Sequence, residues 1–371
     1  MTGYALVRTI RRLAPAMIAS PGFQAVLGRG LLGELRHFVH RPFLVVTMED
    51  LWPLFGAAFE GADCRVHFVA SVDQQALEAM LAALPAVEAV VGLGGGMAID
   101  AAKYVAWRRR LPLFQVPTAL SVDAMFGHRA GVRVDGVVQY VGWAVPEAVY
   151  IDTDILRAAP RQLNYSGIGD ILCNHTGVLD WRYADGIGAC EPHWPYDDAL
   201  AQRSLQKVDA VLAHATDIRD LTDRGIAVLI DGLRWGGGSF HEAGWMPRHI
   251  EGVEHFFFYT LEYLTGRKFI HGQPVGLGVY IGSLLHDSRA EEMLCAMRDI
   301  GLDIRPAAMG LTWDDVGAAV AAMRGFVARH GLWHSIAHDT EIAPDFVHRV
   351  RAGVEAAYHS TPPATERSVA S

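Results

Sequence analysis

Two sets of residues in this chain have the types and spacing for chemistry. The first is the run Val90-Val91-Gly92-Leu93-Gly94-Gly95-Gly96-Met97-Ala98-Ile99-Asp100, an apolar strand entering three glycines and then a helix. Consecutive glycines cost backbone entropy, so a strand-to-helix turn needs a reason to carry them. Close approach of a phosphate to bare main-chain N–H groups at a helix N-terminus is one reason; a tight turn without a ligand is the other. The spacing is neither the G-x-G-x-x-G of the common dinucleotide fold nor a P-loop, since no Lys-Ser/Thr follows. Asp100 is expected in the first helical turn, where an acid also complements the helix dipole.

The second set is Asp170, His255 and His271. Asp170 closes Ser166-Gly167-Ile168-Gly169-Asp170 at a helix start, His255 stands in Val253-Glu254-His255, and His271 opens another helix in Ile270-His271-Gly272. One carboxylate and two imidazoles suit a divalent ion of borderline character, and three protein ligands leave a position for substrate. The chain has 17 histidines, most of them ordinary, and the residues alone do not single these two out. His330, His334 and His338 recur at a spacing that would share one helical face and can bind metal. No glutamate base sits between the first two, so a solvated or pH-sensitive helix face is expected there.

The elements that must position these residues change character along the chain. Up to about residue 150, strand candidates (Phe43–Thr47, Arg65–Val69, Ala89–Leu93, Leu113–Val116 and Ala148–Ile151) alternate with helical stretches such as Gln74–Leu84 and Ala98–Arg109. Such alternation builds a parallel sheet with helices on both faces. Arg133–Val145 reads as a hairpin turning at Asp135-Gly136. From Tyr165 the patterns are long and helical: Gly169–Tyr183, Asp197–Ala215, His255–Thr265, Val275–Leu285 and Val316–Arg329. The expected architecture is an α/β nucleotide-binding domain over 1–160, hinged near Pro160 to an all-α metal and substrate domain over 161–371. The polar tail 361–371, with Pro362-Pro363, is expected to be disordered.

Bulk composition excludes several classes. At 371 residues, 51% hydrophobic and 20% charged, the chain has material for two full cores. With 32 basic against 41 acidic residues the net charge is −9, and a nucleic-acid partner, which needs a basic face, is not expected. Arg108-Arg109-Arg110 reads as the solvated end of a helix. Cys64, Cys173, Cys190 and Cys295 are scattered without C-x-x-C spacing, which argues against a zinc ribbon or disulfide scaffold and fits a reducing compartment. The apolar run Leu13–Ala19, preceded by Arg8, Arg11 and Arg12 and broken by Pro15, reads as an amphipathic start rather than a signal peptide; a transit peptide is the alternative. No apolar stretch approaches a membrane span, and a cytoplasmic location is expected.

The run Val91–Lys103 (VGLGGGMAIDAAK) followed by Val116-Pro117-Thr118-Ala119-Leu120-Ser121-Val122-Asp123 resembles the iron-containing alcohol dehydrogenase and dehydroquinate synthase superfamily. Ser166–Ala184, with its Gly-Asp and Asp-Trp pairs, and later Glu254-His255 and His271-Gly272, are most similar to the glycerol-1-phosphate dehydrogenase branch. The resemblance spans about residues 25–290. It implies a dehydroquinate synthase-like fold, NAD or NADP as cofactor, and one divalent metal, zinc first, with nickel or iron as alternatives. Gly94, Gly95, Gly96 and Asp100 would hold the cofactor diphosphate and adjoining ribose; Thr118 and Ser121 would line the cofactor cleft. Asp123 would contact substrate hydroxyls, and Arg129 the substrate's charged end, a surface salt bridge being the alternative for Arg129. Asp170, His255 and His271 would bind the metal.

Several positions depart from the branch. The acid that usually follows the first strand directly is displaced by Met48 to Glu49, which leaves the choice between NAD and NADP open. Glu251 replaces a serine, an awkward neighbour for a phosphate-bearing substrate; Gln273 stands where glutamate is common, and Val122 where many relatives carry histidine. The expected reaction is reversible hydride transfer between nicotinamide and a small polyol or polyol phosphate, sn-glycerol 1-phosphate and dihydroxyacetone phosphate first. The alternatives are another polyol, alcohol or phosphonate-aldehyde dehydrogenase, an NAD-dependent cyclase of the dehydroquinate synthase type, or a binding protein that has lost turnover. By analogy with the relatives, a homo-oligomer is expected.

Overall fold

The computed structural model describes residues 16–359 apart from 21, 22, 36, 38 and 40. The tail expected to be disordered, 361–371, lies outside the described residues, as does the start of the run Leu13–Ala19. The chain divides into two compact units, Met1–Asn164 and Tyr165–Ser371.

The first unit is built on a seven-stranded sheet. Its strands are β1 (Ala16–Ser20), β2 (Phe23–Gly28), β3 (Phe43–Thr47), β4 (Cys64–Phe68), β5 (Ala89–Gly94), β6 (Leu113–Pro117) and β9 (Ala148–Asp152), in the order β1-β2-β9-β6-β5-β3-β4. Six run parallel; β1 pairs antiparallel with β2 at one edge. Ala16–Ser20, inside the run read from the sequence as an amphipathic start, is the edge strand of this pair. The inner strands β3, β5, β6 and β9 are buried along their whole length, which is why they read as continuous apolar runs rather than alternating ones. Phe43, Val45, Val91, Leu93, Phe114 and Val116 pack on Leu31 and Leu35 on one face. Leu44, Val46 and Val90 pack on helices α1 (Gln74–Ala83) and α2 (Gly96–Arg109) on the other.

A separate hairpin, β7 (Ala130–Val134) and β8 (Val137–Val141), turns at Asp135-Gly136. Both turn residues have positive φ, 53° and 80°, as a two-residue hairpin turn demands. At the end of α2, Arg108 and Arg110 are exposed, as the composition of the triplet suggested, and Arg109 is half-buried. Arg109 donates to the carbonyls of Leu81, Leu84 and Pro85 and so satisfies the C-terminal end of α1.

Every regular element described in the second unit is helical. The main ones are α3 (Gly169–Gly186), α4 (Asp198–Ala213), α5 (Asp223–Glu242), α6 (Val253–Thr265), α7 (Gly272–Leu285), α8 (Ala290–Ile300), α9 (Trp313–His330) and α10 (Phe346–Tyr358). Helices α3 and α7 meet at their starts through Gly169 and Gly272. A Cβ on Gly169 would lie 2.6 Å from the Gly272 Cα, and one on Gly272 would lie 1.8 Å from the Ser166 carbonyl oxygen. No larger residue fits there, and this contact brings Asp170 beside His271. Helix α9 stops at His330, where Gly331 turns left-handed with φ 61°. His330, His334 and His338 therefore share no helical face. His330 packs on Phe326, while His334 and His338 stack in and after the next loop, with ring centroids 4.7 Å apart.

Candidate metal centre

Asp170 enters the site from the first turn of α3, His255 from the first turn of α6, and His271 from the residue that opens α7. One ligand atom from each of the three lies within 4.8 Å of the others. The Asp170 Oδ1 is 2.8 Å from His271 Nε2 and 3.9 Å from His255 Nε2, and the two imidazole centroids are 5.3 Å apart. Asp170 and His255 are buried and His271 is half-buried. Two imidazoles and a carboxylate aimed at one point are the donor set of a borderline divalent ion, so these residues fit the metal expected from the sequence.

Glu254, a residue the sequence reading quoted without giving it a task, completes the arrangement. Its Oε1 lies 2.9 Å from His255 Nδ1 and accepts from the Gly252 amide at 2.7 Å, while Oε2 accepts from the Thr176 hydroxyl. A buried carboxylate on the far nitrogen fixes the ring and leaves Nε2 available to a cation. An acid directly before a histidine at a helix start was the available signal. Glu251 is also buried, and its Oε1 accepts from Tyr259 at 2.7 Å. Burial pushes the Glu251 carboxyl above its ordinary range, against the pull of His255 and the Tyr259 hydrogen bond. Burial alone would lower His255; the Glu251 charge, the Glu254 hydrogen bond and charge, and Asp170 outweigh it and push the imidazole up to about 9.

Cys173 comes equally near to Glu254 and His255. Its thiol faces the carbonyls of Ile250 at 2.9 Å and Asp170 at 3.1 Å, and Glu254 is already committed to three donors. Gln273, the other departure noted in the sequence, points away: its amide donates to the Asp303 carbonyl at 2.8 Å.

The candidate cofactor residues belong to the first unit. β5 ends at Gly94, which has a φ of 152° and where a Cβ would lie 2.8 Å from the Ala98 Cβ, so only glycine fits. The Thr118 amide donates to the Gly94 carbonyl at 3.1 Å. Ser121 Oγ stands 3.8 Å from where a Gly95 Cβ would be, and Val122 Cγ1 stands 2.9 Å from a Gly96 Cβ. The glycine turn and the Thr118–Val122 segment thus face each other, with the N-terminus of α2 between. Glu49 is exposed in the turn after β3. Asp100 lies beyond the first turn of α2, and its carboxylate pairs with the buried Lys103 ammonium at 2.7 Å. Lys103 also donates to the carbonyls of Ala124 and Arg129, tying α2 to the loop that carries Asp123 and Arg129. Asp123 opens a short 3-10 turn and is half-buried. Arg129 is half-buried, and burial lowers its guanidinium below the ordinary value.

Comparison with known proteins gives the family of the chain and its fold. Residues 55–160 match the family model described as iron-containing alcohol dehydrogenase. A glycerol-1-phosphate dehydrogenase [NAD(P)+] of Thermofilum pendens is 30% identical over 81% of this chain and 90% of its own length. The corresponding Aeropyrum pernix protein is 31% identical over 70% of each chain. The chain belongs to the iron-containing alcohol dehydrogenase family, in its glycerol-1-phosphate dehydrogenase branch. Among solved structures, the glycerol dehydrogenase of Schizosaccharomyces pombe matches with a TM-score of 0.66 at 18% identity, over 93% of this chain and 92% of that one. A 2-epi-5-epi-valiolone synthase of Streptomyces hygroscopicus with NAD+ and Zn2+ bound matches with a TM-score of 0.61 at 17% identity, over 93% and 99%. These two likenesses establish the dehydroquinate synthase-like fold. No described helix is long and apolar enough to cross a membrane.

Proposed function

We propose that this chain is a metal-dependent, NAD(P)-linked dehydrogenase that interconverts a small polyol phosphate and its ketone, sn-glycerol 1-phosphate and dihydroxyacetone phosphate first. The observation that carries the reading is the convergence of Asp170, His255 and His271 in a chain so similar to proteins named for that activity. When bound, a divalent ion, zinc first, supplies Lewis-acid polarisation of a carbonyl, and a nicotinamide cofactor supplies or accepts hydride.

The chain's own residues do the rest. Asp170, His255 and His271 hold the ion, and Glu254 holds the His255 ring so that Nε2 stays turned to it. Main-chain amides at Gly94–Gly96 and the start of α2 bind the diphosphate, with Thr118 and Ser121 alongside. Asp123 accepts from substrate hydroxyls, and Arg129 meets the charged end. Action in the cytoplasm as a homo-oligomer is part of the same proposal.

Glu251 favours a second reading. A buried carboxylate among the ligand imidazoles repels a phosphate dianion and suits a neutral polyol. One experiment addresses both readings: NADH and NADPH oxidation over dihydroxyacetone phosphate, dihydroxyacetone and small aldehydes, with bound metal measured. Reduction of dihydroxyacetone phosphate above the others supports the main reading, and preference for dihydroxyacetone the second. Inorganic phosphate released without net cofactor turnover would sink both in favour of a cyclase.

A further inference from the structure

Asp180 is a carboxylate with no part in the chemistry described so far. It sits on α3 about 15 Å along the helix axis from Asp170 at 1.5 Å per residue, too far to be a ligand. It is 1% exposed and has no Lys or Arg partner among the described residues. A buried carboxylate in that position must be satisfied by hydrogen bonds. Its Oδ2 accepts from the Val253 amide at 2.6 Å; its Oδ1 accepts from the Ile336 amide at 2.9 Å and lies 2.9 Å from His286 Nε2.

The identity of these partners gives the contact its meaning. Val253 is the first residue of α6, directly before Glu254 and His255, and Ile336 is the first residue of the short helix Ile336–Asp339. His286 closes α7, the helix that His271 opens. One carboxylate therefore grips the starts of two helices and the end of a third, and two of the three carry the ligand imidazoles. The approach is close enough that a Cβ on Gly252 would lie 2.5 Å from Asp180 Oδ2.

We propose that Asp180 is a positioning residue for the metal centre: by holding the Val253 amide it fixes the first turn of α6, and with it the Glu254 carboxylate and the His255 ring. The inference rests on the metal-centre reading above. Its test uses the full-length protein stripped of metal and titrated with Co2+, read by the visible d–d spectrum and by competition with a chelator. Asp180→Asn, which keeps one acceptor oxygen and sets an NH2 against either the Val253 or the Ile336 amide, is expected to weaken Co2+ about 10–100-fold and to alter the cobalt spectrum.

Gly252→Ala keeps every ligand and the Asp180 charge while pushing the carboxylate away. It is expected to change the spectrum in the same way, and it stands in should Asp180→Asn fail to fold. Ser335→Ala removes the hydroxyl that caps Ile336–Asp339 without touching α6, and should leave cobalt binding as in the wild type. Wild-type cobalt affinity and spectrum in Asp180→Asn and Gly252→Ala would overturn the proposal. Equal weakening by Ser335→Ala would also overturn it, because general loosening would then explain the loss. A wild-type chain that binds no Co2+ would instead remove the metal-centre reading beneath it.

Discussion

His249 and His255 stand on one short stretch of chain, just before and just after the turn that begins α6, and both are buried. Their chemistry is opposite. His249 lies near the rings of Trp181 and Trp235, with Ser239 Oγ 2.7 Å from its Nε2. Burial, helped by the Arg203 charge, pushes it down to about 3. His255 lies among Glu251, Glu254 and Asp170 and is pushed up to about 9. Burial acts in the same direction on both rings; the number of carboxylates within reach decides the outcome. His255 gains its proton affinity from Glu251 and Glu254 on its own stretch of chain and from Asp170 at the start of α3, whereas indoles surround His249.

The largest effect that would sharpen this contrast comes from the ligands. Asp170→Ala, His255→Ala or His271→Ala should each abolish metal binding and lower kcat/KM about 10^3-fold or more, since Lewis-acid stabilisation supplies several kcal/mol. Full turnover in a metal-free His271→Ala protein would break it. Next, Glu254→Gln should weaken metal binding by about 10–100-fold while the ligands remain; unchanged affinity on chelator competition would remove Glu254 from the site.

His249→Ala should leave metal content and turnover intact and cost stability, about 2–4 kcal/mol for a buried side chain replaced by a cavity, read by denaturant unfolding. A lost metal in that variant would erase the distinction between the two histidines. The last effect lies in the pH dependence of the metal-free protein. The folded state refuses a proton at His249 that the unfolded chain accepts below 6.5, so stability falls as pH drops from 6.5 toward 3. At His255 the folded state holds its proton more tightly than the unfolded chain. That contribution is complete below 6.5 and is lost as pH rises through about 9. His249→Gln should flatten only the acid limb of the stability profile and His255→Gln only the alkaline limb; the reverse assignment would contradict both environments.

Much of the frame was legible without coordinates. The parallel strands read as unbroken apolar runs, and Asp135-Gly136 named the hairpin turn. The glycine turn after β5 was legible because φ at Gly94 and the space around it are local demands that only glycine meets. Helix α5 was not foreseen, because Gly236-Gly237-Gly238 interrupts its pattern. Another of its glycines, Gly232, shows what such gaps serve: a Cβ there would lie 2.5 Å from the Ile171 side chain. Nor was the edge pairing of Ala16–Ser20 read, since antiparallel addition to a parallel sheet leaves no periodic mark of its own.

The amino-acid sequence by itself determined the two-part architecture and the glycine turn and, through resemblance, singled out Asp170, His255 and His271 as candidate ligands. These are properties of single residues and of their immediate neighbours along the chain. Only the tertiary structure decided which histidines meet carboxylates, that Glu254 orients His255, and that Lys103 ties Asp100 to the loop bearing Asp123 and Arg129. It also placed Asp180 at the junction of three helix ends. Proton affinity and ligand geometry depend on charges a few ångströms away in space, and some of those charges, such as Asp170 beside His255 and Arg203 near His249, come from residues far along the sequence.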